Sequence, residues 1–486
     1  MAMACGLDAH ASDWNFEPFV HGSAIYTDNV NQTANNPEDA LILTVTPGFS
    51  LRSEGSSRVQ AGMNYGLTGV ARIGENLDND LYQNMHAIGK AELMEDFLFI
   101  DGTANISQQL TSLYGSPADT ATNSSNRTAT GTYLVSPYIQ QRFGNFAQSL
   151  VRFSQYGAIF QGNDFNNSNT SAINATLTSG TRFNDLSWGL NYLFRNAVIQ
   201  NSANAQFESY GAHLGYDLTR RLKLRGTVGY DHNDYAAAPG TAISGSYWTG
   251  GFDWAPNRRT NIGASIGESY FGRTYGFNFN YRTRNSVWTA SYNDGVNDIS
   301  RQLLNNQPLY VWTCDGGQFL GDGALPPQGQ TNCVLQDAAP IGSAPSGGPG
   351  LANGIYLSKT LRGGGSWSKG RTSMNLSVFN TRRQYQQLEG LPEDDLRGFI
   401  AAYGYRLQPH TTLNASLGYT NTQSPAGLWT IGARDDNLYT VRMAVNHQFD
   451  SNLTGMLQLK HQQRDSNDPF NSFDENSILA NATMNF

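Results

Sequence analysis

Apolar and polar residues alternate with a period of two along most of this chain. Within residues 260–304, Tyr275, Phe277, Phe279 and Tyr281 alternate with Gly276, Asn278, Asn280 and Arg282. Trp288, Ala290 and Tyr292 then alternate with Val287, Thr289, Ser291 and Asn293. Such a period puts one set of side chains on each face of a β-strand. Only a few residues around Arg284 and Asn285 separate the two runs, so the pattern predicts an antiparallel hairpin.

The same pattern recurs along the rest of the chain. Strands are predicted at 14–26, 40–52, 59–73, 81–95 and 97–110, then at 131–143, 146–161, 170–183 and 186–199. Further runs cover 205–218, 222–235, 243–254 and 260–271 ahead of the hairpin. Beyond it come 355–367, 372–385, 397–407, 411–422, 438–449, 453–464 and 477–486. The total is about 22, an even number as bacterial single-chain barrels require. Short turns, as at Glu95 and Asp96 or Gly144 and Asn145, alternate with mostly longer connections. Short periplasmic turns and long external loops, with both termini periplasmic, follow that phase.

The apolar face could pack a soluble core, as in a sandwich. Three features favour lipid. The strands are long enough to cross a bilayer when tilted. Aromatics stand near strand ends at Trp14, Tyr26, Trp254, Tyr270 and Phe449, as in interfacial girdles. The chain also ends on alternating apolar residues closed by Phe486, a pattern resembling the signal read by the outer-membrane insertion machinery. The expectation is an all-β, transmembrane, antiparallel up-and-down barrel over residues 12–486, seated in outer-membrane lipid of a Gram-negative bacterium.

Composition agrees with this. Aromatics reach 12% and charged residues only 14%, with 51 glycines among 486 residues. Mean hydropathy is −0.44, which does not argue against a membrane barrel because only alternate residues face lipid. The net charge of −8 lacks the basic face of a nucleic-acid binder, so no nucleic-acid partner is expected. Acids such as Glu38, Asp39, Asp78, Asp80, Glu393, Asp394, Asp395, Asp435 and Asp436 fall between the predicted strands, as a solvated loop surface. Ala9, His10 and Ala11 ahead of Ser12 resemble a signal-peptidase site. Residues 1–11 are therefore expected to be the remnant of a signal peptide, with maturation near Ser12. Cys5 fits a lipobox poorly, because Ala2 stands where Leu is preferred.

Cys314 and Cys333 share one Gly/Pro-rich segment. In an exported chain such a pair predicts a disulfide within a long external loop, 300–354. That loop could fold inward and constrict the lumen, or outward as a contact surface.

Candidate chemistry is sparse. Gly263, Ser265 and Gly267 match G-x-S-x-G, but the match lies inside a strand without the strand-to-helix elbow that hydrolases need. No metal, nucleotide or protease motif occurs, and no cofactor, metal site or catalytic residue is expected. Arg195, Lys223, Arg225, Arg282, Arg284, Arg406, Arg442 and Lys460 are placed on polar faces, where they would line a lumen. They could attract an anionic solute, or pair with carboxylates such as Asp217 and Asp231 to hold the wall. The second reading is preferred.

One run carries a family resemblance. Trp254-Ala255-Pro256, Arg259-Thr260, Gly267, Tyr270-Phe271-Gly272, Tyr275-Gly276, Tyr281-Arg282-Thr283-Arg284, Val287-Trp288, Ser291-Tyr292 and Gln302-Leu303-Leu304 resemble the PEP-CTERM system-associated outer-membrane protein family. This chain departs from the family pattern at Asn285 and at Glu268-Ser269, where the family has basic residues. The resemblance implies a β-barrel linked to exosortase and exopolysaccharide genes, with exopolysaccharide or periplasmic export components as partners, and it implies no reaction. A porin-like conduit linked to exopolysaccharide export is the expected function. A non-conducting structural or assembly barrel is the alternative, and a barrel-embedded hydrolase comes last.

Overall fold

The computed structural model describes residues 13–54, 58–75, 77–112, 114–115, 126–162, 165–305, 309–314, 317–322, 334–335, 354–390, 392–426, 428 and 432–486. The expected signal remnant 1–11 with Cys5, the maturation point at Ser12, and the pairing of Cys314 with Cys333 lie outside the described residues.

The strands are β1 (Asp13–Thr27), β2 (Ala40–Glu54), β3 (Val59–Ile73), β4 (Asp80–Met94), β5 (Leu98–Leu110), β6 (Arg127–Phe143) and β7 (Ala147–Phe160). Next come β8 (Ser168–Ser179), β9 (Leu186–Ile199), β10 (Ala205–Thr219), β11 (Leu222–Asp234), β12 (Gly245–Asn257) and β13 (Thr260–Ser269). β14 (Gly272–Arg282) and β15 (Ser286–Asn297) lead into a short helix, α1 (Ile299–Asn305). Three short strands follow, β16 (Leu309–Cys314), β17 (Gly317–Asp322) and β18 (Val334–Leu335). The chain finishes with β19 (Tyr356–Lys369), β20 (Thr372–Tyr385), β21 (Glu393–Gln408), β22 (Thr411–Ser424), β23 (Arg434–Gln448), β24 (Leu453–Ser466) and β25 (Phe473–Asn485).

Successive strands pair antiparallel into one 22-stranded sheet. β15 pairs with β19, and β25 returns to pair with β1 from Phe19↔Asn485 to Thr27↔Ser477. The sheet is therefore a closed barrel without free edges. β16, β17 and β18 form a separate three-stranded sheet inside the long connection.

The apolar faces point out. Leu214 is 59% exposed and Val228 60%, values that only a lipid solvent makes favourable for side chains in regular strands. Their neighbours on the other face are Gly, Asn, Ser, Asp and Arg, turned to the lumen. Short turns collect at one end, here the turn end. Several need left-handed backbone, as at Gly144 (φ +58°) and Asp96 (φ +53°), which tight hairpin turns commonly require. At that end Trp14, Trp254, Trp288 and Phe449 stand exposed, as an interfacial belt does. Tyr270 does not join such a belt. It packs with Phe271 against the buried cluster of Phe207, Tyr235 and Val296.

Strands overrun their predicted limits at the opposite, loop end. β6, β21, β23 and β25 start at Arg127, Glu393, Arg434 and Phe473, four residues earlier than the alternation indicates. The outward residues there are polar and bond across the ladder: Asn421 Nδ2 donates to Asp435 at 2.7 Å and to Asn437 at 3.0 Å. The apolar signal stops where lipid stops, while the backbone ladder continues into water. The acids at 393–395 and 435–436 thus belong to strands rather than to loops. Ser265 lies mid-ladder in β13 opposite Gly276 and Gly251, so no nucleophile elbow exists there.

Candidate functional site: a loop-filled mouth on a polar lumen

At the loop end, connections turn inward and dock on the lumen wall. The first is the β1–β2 connection. Val30 is fully buried against Ile25, Ile42, Val70 and Tyr82. Asn29 Nδ2 donates to the Asp474 carbonyl at 2.9 Å, and Gln32 Nε2 to Glu475 Oε2 at 2.7 Å. Glu475 also accepts from Thr27 and pairs with Lys460 Nζ at 3.1 Å. These groups meet because barrel closure sets β25 between β1 and β24.

A second docking comes from the β5–β6 connection. Asn126 ties its base: its side chain accepts from the Ser112 amide at 2.8 Å and donates to the Ser112 carbonyl at 2.8 Å. Tyr114 then lies, 5% exposed, on the far wall of β22–β24. Its hydroxyl donates to the Gln423 carbonyl at 3.3 Å, and burial pushes its phenol pKa up. Arg434 and Arg464 donate to the Tyr114 carbonyl at 3.5 and 3.0 Å, and Arg464 also to the Gly115 carbonyl at 2.5 Å. Asp436 sits between the two guanidiniums, 3.0 Å from Arg434 and bonded to Arg464, while Asp468 pairs with Arg434 at 2.8 Å. Two cations and two anions balance here without help from the loop.

The third docking is α1. Asp298 precedes the helix, accepts from the Arg301 amide at 3.1 Å as an N-cap, and pairs with buried Arg195. The Arg195 guanidinium lies 3.9 Å from the Phe207 ring centre. Ile299 and Leu303 pack on Ala158 and Phe160, and the Ser300 and Ser168 hydroxyls are 2.5 Å apart. On the opposite side the Tyr356 hydroxyl donates to Gln302 at 2.9 Å. Tyr356 and Tyr385 flank Arg383, which holds Asp394 in two bonds, Nε–Oδ1 2.8 Å and Nη2–Oδ2 2.5 Å. The helix is thus a crossbar from the β7–β10 wall to the β19–β21 wall. The start of the loop expected at 300–354 folds inward. The β11–β12 connection adds a further contact, the Ala238 amide donating to the Gln386 carbonyl at 2.8 Å.

Most of the predicted basic residues line the lumen. Arg195 and Lys460 are buried in the ion pairs above. Lys223 pairs with Asp217 at 3.6 Å and Arg225 with Asp253 at 3.5 Å, all four half-exposed. Arg282, Arg406 and Arg442 also stand on inward positions of their strands. Among the described residues, Arg282 and Arg442 have no carboxylate within 4.0 Å. Arg284 is a correction: β14 ends at Arg282, Thr283 bonds back to Ser286 at 2.7 Å, and Arg284 is left exposed at the turn tip. Among the described residues Asp231 has no arginine within 4.0 Å, and Asp253 rather than Asp231 pairs with Arg225. Phe486 continues the outward face of β25, 62% exposed, its amide donating to the Pro18 carbonyl at 2.9 Å. The cluster of Arg434, Arg464 and Asp436 escaped sequence reasoning. Arg434 and Asp436 fell in a predicted loop, and nothing local links them to Tyr114, 320 residues away.

A closed 22-stranded barrel with an apolar exterior and a polar lumen is an outer-membrane β-barrel fold. No family model and no curated protein matches the sequence. Among solved structures, the chain is similar to the FrpB iron transporter from Neisseria meningitidis (F5-1 variant), with TM-score 0.51 and 11% identity over 98% of this chain and 83% of that one. It is also similar to the siderophore receptor PirA from Acinetobacter baumannii, with TM-score 0.51 and 8% identity over 98% and 81%. At such identities the likeness is one of fold.

Proposed function

We propose that this barrel is a porin-like conduit of the Gram-negative outer membrane whose loop end, facing outward, is shut at rest by its own connections. The observation that carries this is the contrast between the two ends of one lumen. At the turn end Lys223, Arg225 and Arg282 stand half-exposed or exposed on inward, polar strand positions. At the loop end, the Tyr114 and α1 segments turn inward and dock on the lumen wall. A lumen of about 22 strands is wide enough to take such segments. The resemblance noted in the sequence supports exopolysaccharide export as the cargo process, with exosortase-linked or periplasmic export components as partners. The solved neighbours are transport receptors by name, which fits a transport role better than an enzymatic one.

Planar-bilayer recording tests the conduit. The wild-type barrel is expected to show rare or small openings, and Tyr114→Ala to raise the open fraction several-fold. A folded barrel that stays silent both as Tyr114→Ala and with residues 306–353 deleted sinks the conduit. It would support the second reading, a non-conducting structural barrel, which the number of buried ion pairs at the mouth also favours. The cargo is tested separately: a deletion strain with unchanged surface polysaccharide removes exopolysaccharide export while leaving conduction standing.

A further inference from the structure

The turn end carries a charge asymmetry that the lumen does not use. The turns β10–β11, β12–β13, β14–β15 and β19–β20 are successive around one arc of the rim. They present Arg220 and Arg221, Arg258 and Arg259, Arg284, and Arg371. All six are exposed, and among the described residues none has a carboxylate within 4.0 Å. No acid occurs within these four turns. The opposite arc differs: Arg58 is neutralised by Glu95 at 3.3 Å, and Asp96 and Asp450 are exposed in its turns. In a chain of net charge −8 with 31 Lys and Arg in all, six unpaired arginines in one arc form a local reversal of sign.

The position of the arc selects the ligand. Each turn is two or three residues long, so every arginine stands within a few residues of the edge of the apolar band. Trp254, Trp288 and the outward Leu218 mark that edge. Guanidiniums there reach the headgroup level of the adjacent leaflet, their stems lying along apolar surface. The lumen competes poorly for the same anions, because just inside the arc Lys223 and Arg225 are already paired with Asp217 and Asp253.

We infer that the basic arc of the turn end binds the phosphates of anionic phospholipids, giving the barrel a one-sided shell of acidic lipid in the leaflet facing its turns. This does not depend on whether the barrel conducts. Guanidinium–phosphate contacts are charge-assisted and often bidentate, and several basic residues at one surface add their attractions. Such a shell would fix the rotational setting of the barrel against its lipid neighbours.

Lipid retained by the purified barrel after reconstitution in phosphatidylethanolamine with a minor share of phosphatidylglycerol tests this by mass spectrometry. The wild-type protein is expected to retain phosphatidylglycerol at least about threefold above its bulk share, with the excess falling as salt is raised. The combined Arg220→Gln, Arg221→Gln, Arg258→Gln, Arg259→Gln, Arg284→Gln and Arg371→Gln barrel, checked as folded by heat-modifiable gel migration, is expected to return to the bulk share. Bulk-level retention by the wild type, or an excess indifferent to salt, overturns the inference without needing the variant. An unchanged excess in the folded variant also overturns it. Wild-type binding of soluble polyglutamate without phosphatidylglycerol enrichment would assign the arc to an acidic macromolecule instead.

Discussion

Arg383 and Asp394 show what the mouth demands of single residues. Their side chains are 2% and 3% exposed, so neither charge has water to fall back on. The pair is held by two parallel bonds and by the Tyr385 hydroxyl, which donates to Asp394 at 2.9 Å. Arg383→Met leaves a buried carboxylate without its counter-ion and is expected to lower stability by about 3–5 kcal/mol. Arg383→Met with Asp394→Leu is expected to recover most of that loss, because two well-packed apolar groups replace a desolvated pair. Urea unfolding in lipid vesicles measures both. The Tyr114 and α1 dockings differ in charge balance. Withdrawing Tyr114 leaves Arg434, Arg464, Asp436 and Asp468 balanced. Withdrawing α1 strands Arg195 without Asp298. Asp298→Asn is therefore expected to destabilise the barrel by more than Tyr114→Phe, which removes only the phenol bond to Gln423, worth about 1 kcal/mol. Thermal unfolding checks the order.

At the level of single strands, the outward face divides by depth. On β24, Leu457 and Leu459 are lipid-facing, and His461, Gln463 and Asp465 follow toward the loop end. Leu457→Arg is expected to cost about 2–4 kcal/mol and Gln463→Arg about 0–1 kcal/mol, since a charge is expensive at the bilayer midplane and cheap near the interface. Folding into phospholipid vesicles followed by tryptophan fluorescence separates the two. The same division explains why the alternation begins four residues after the strand starts at Arg127, Glu393, Arg434 and Phe473. Period-two patterning reports which solvent a face meets. Once both faces meet water or loops, polar residues occupy both, and the strand becomes invisible although its hydrogen bonds persist. The turn-end limits were legible because apolar outward residues run up to the turns there.

For the whole molecule, closure is the deciding event. β25 pairs along the edge of β1 that β2 leaves free, from Phe19↔Asn485 to Thr27↔Ser477. Deleting 473–486 is expected to abolish the heat-modifiable folded band and leave an aggregating chain, because two long edges are then exposed. Deleting Phe486 alone is expected to slow assembly while leaving the ladder intact, as a time course of the folded band would show. Closure also creates the site. Lys460 and Glu475 meet Thr27 and Gln32 across the junction of the two chain ends, and Tyr114 crosses the lumen to arginines more than 300 residues later.

By itself the sequence determined the barrel, the number and phase of its strands, and the faces of its lumen-lining basic residues other than Arg284. All of these follow from a local period of two, which lipid on one side and a polar lumen on the other impose residue by residue. Only the tertiary structure decided that connections dock inward at the mouth, that α1 bridges Phe160 on one wall and Tyr356 on the other, and that Arg434 and Arg464 hold the Tyr114 segment by its backbone carbonyls. Those contacts join loops to distant walls. A backbone carbonyl as acceptor leaves no trace in residue type, and nothing in the local pattern says into which end of a barrel a loop will turn.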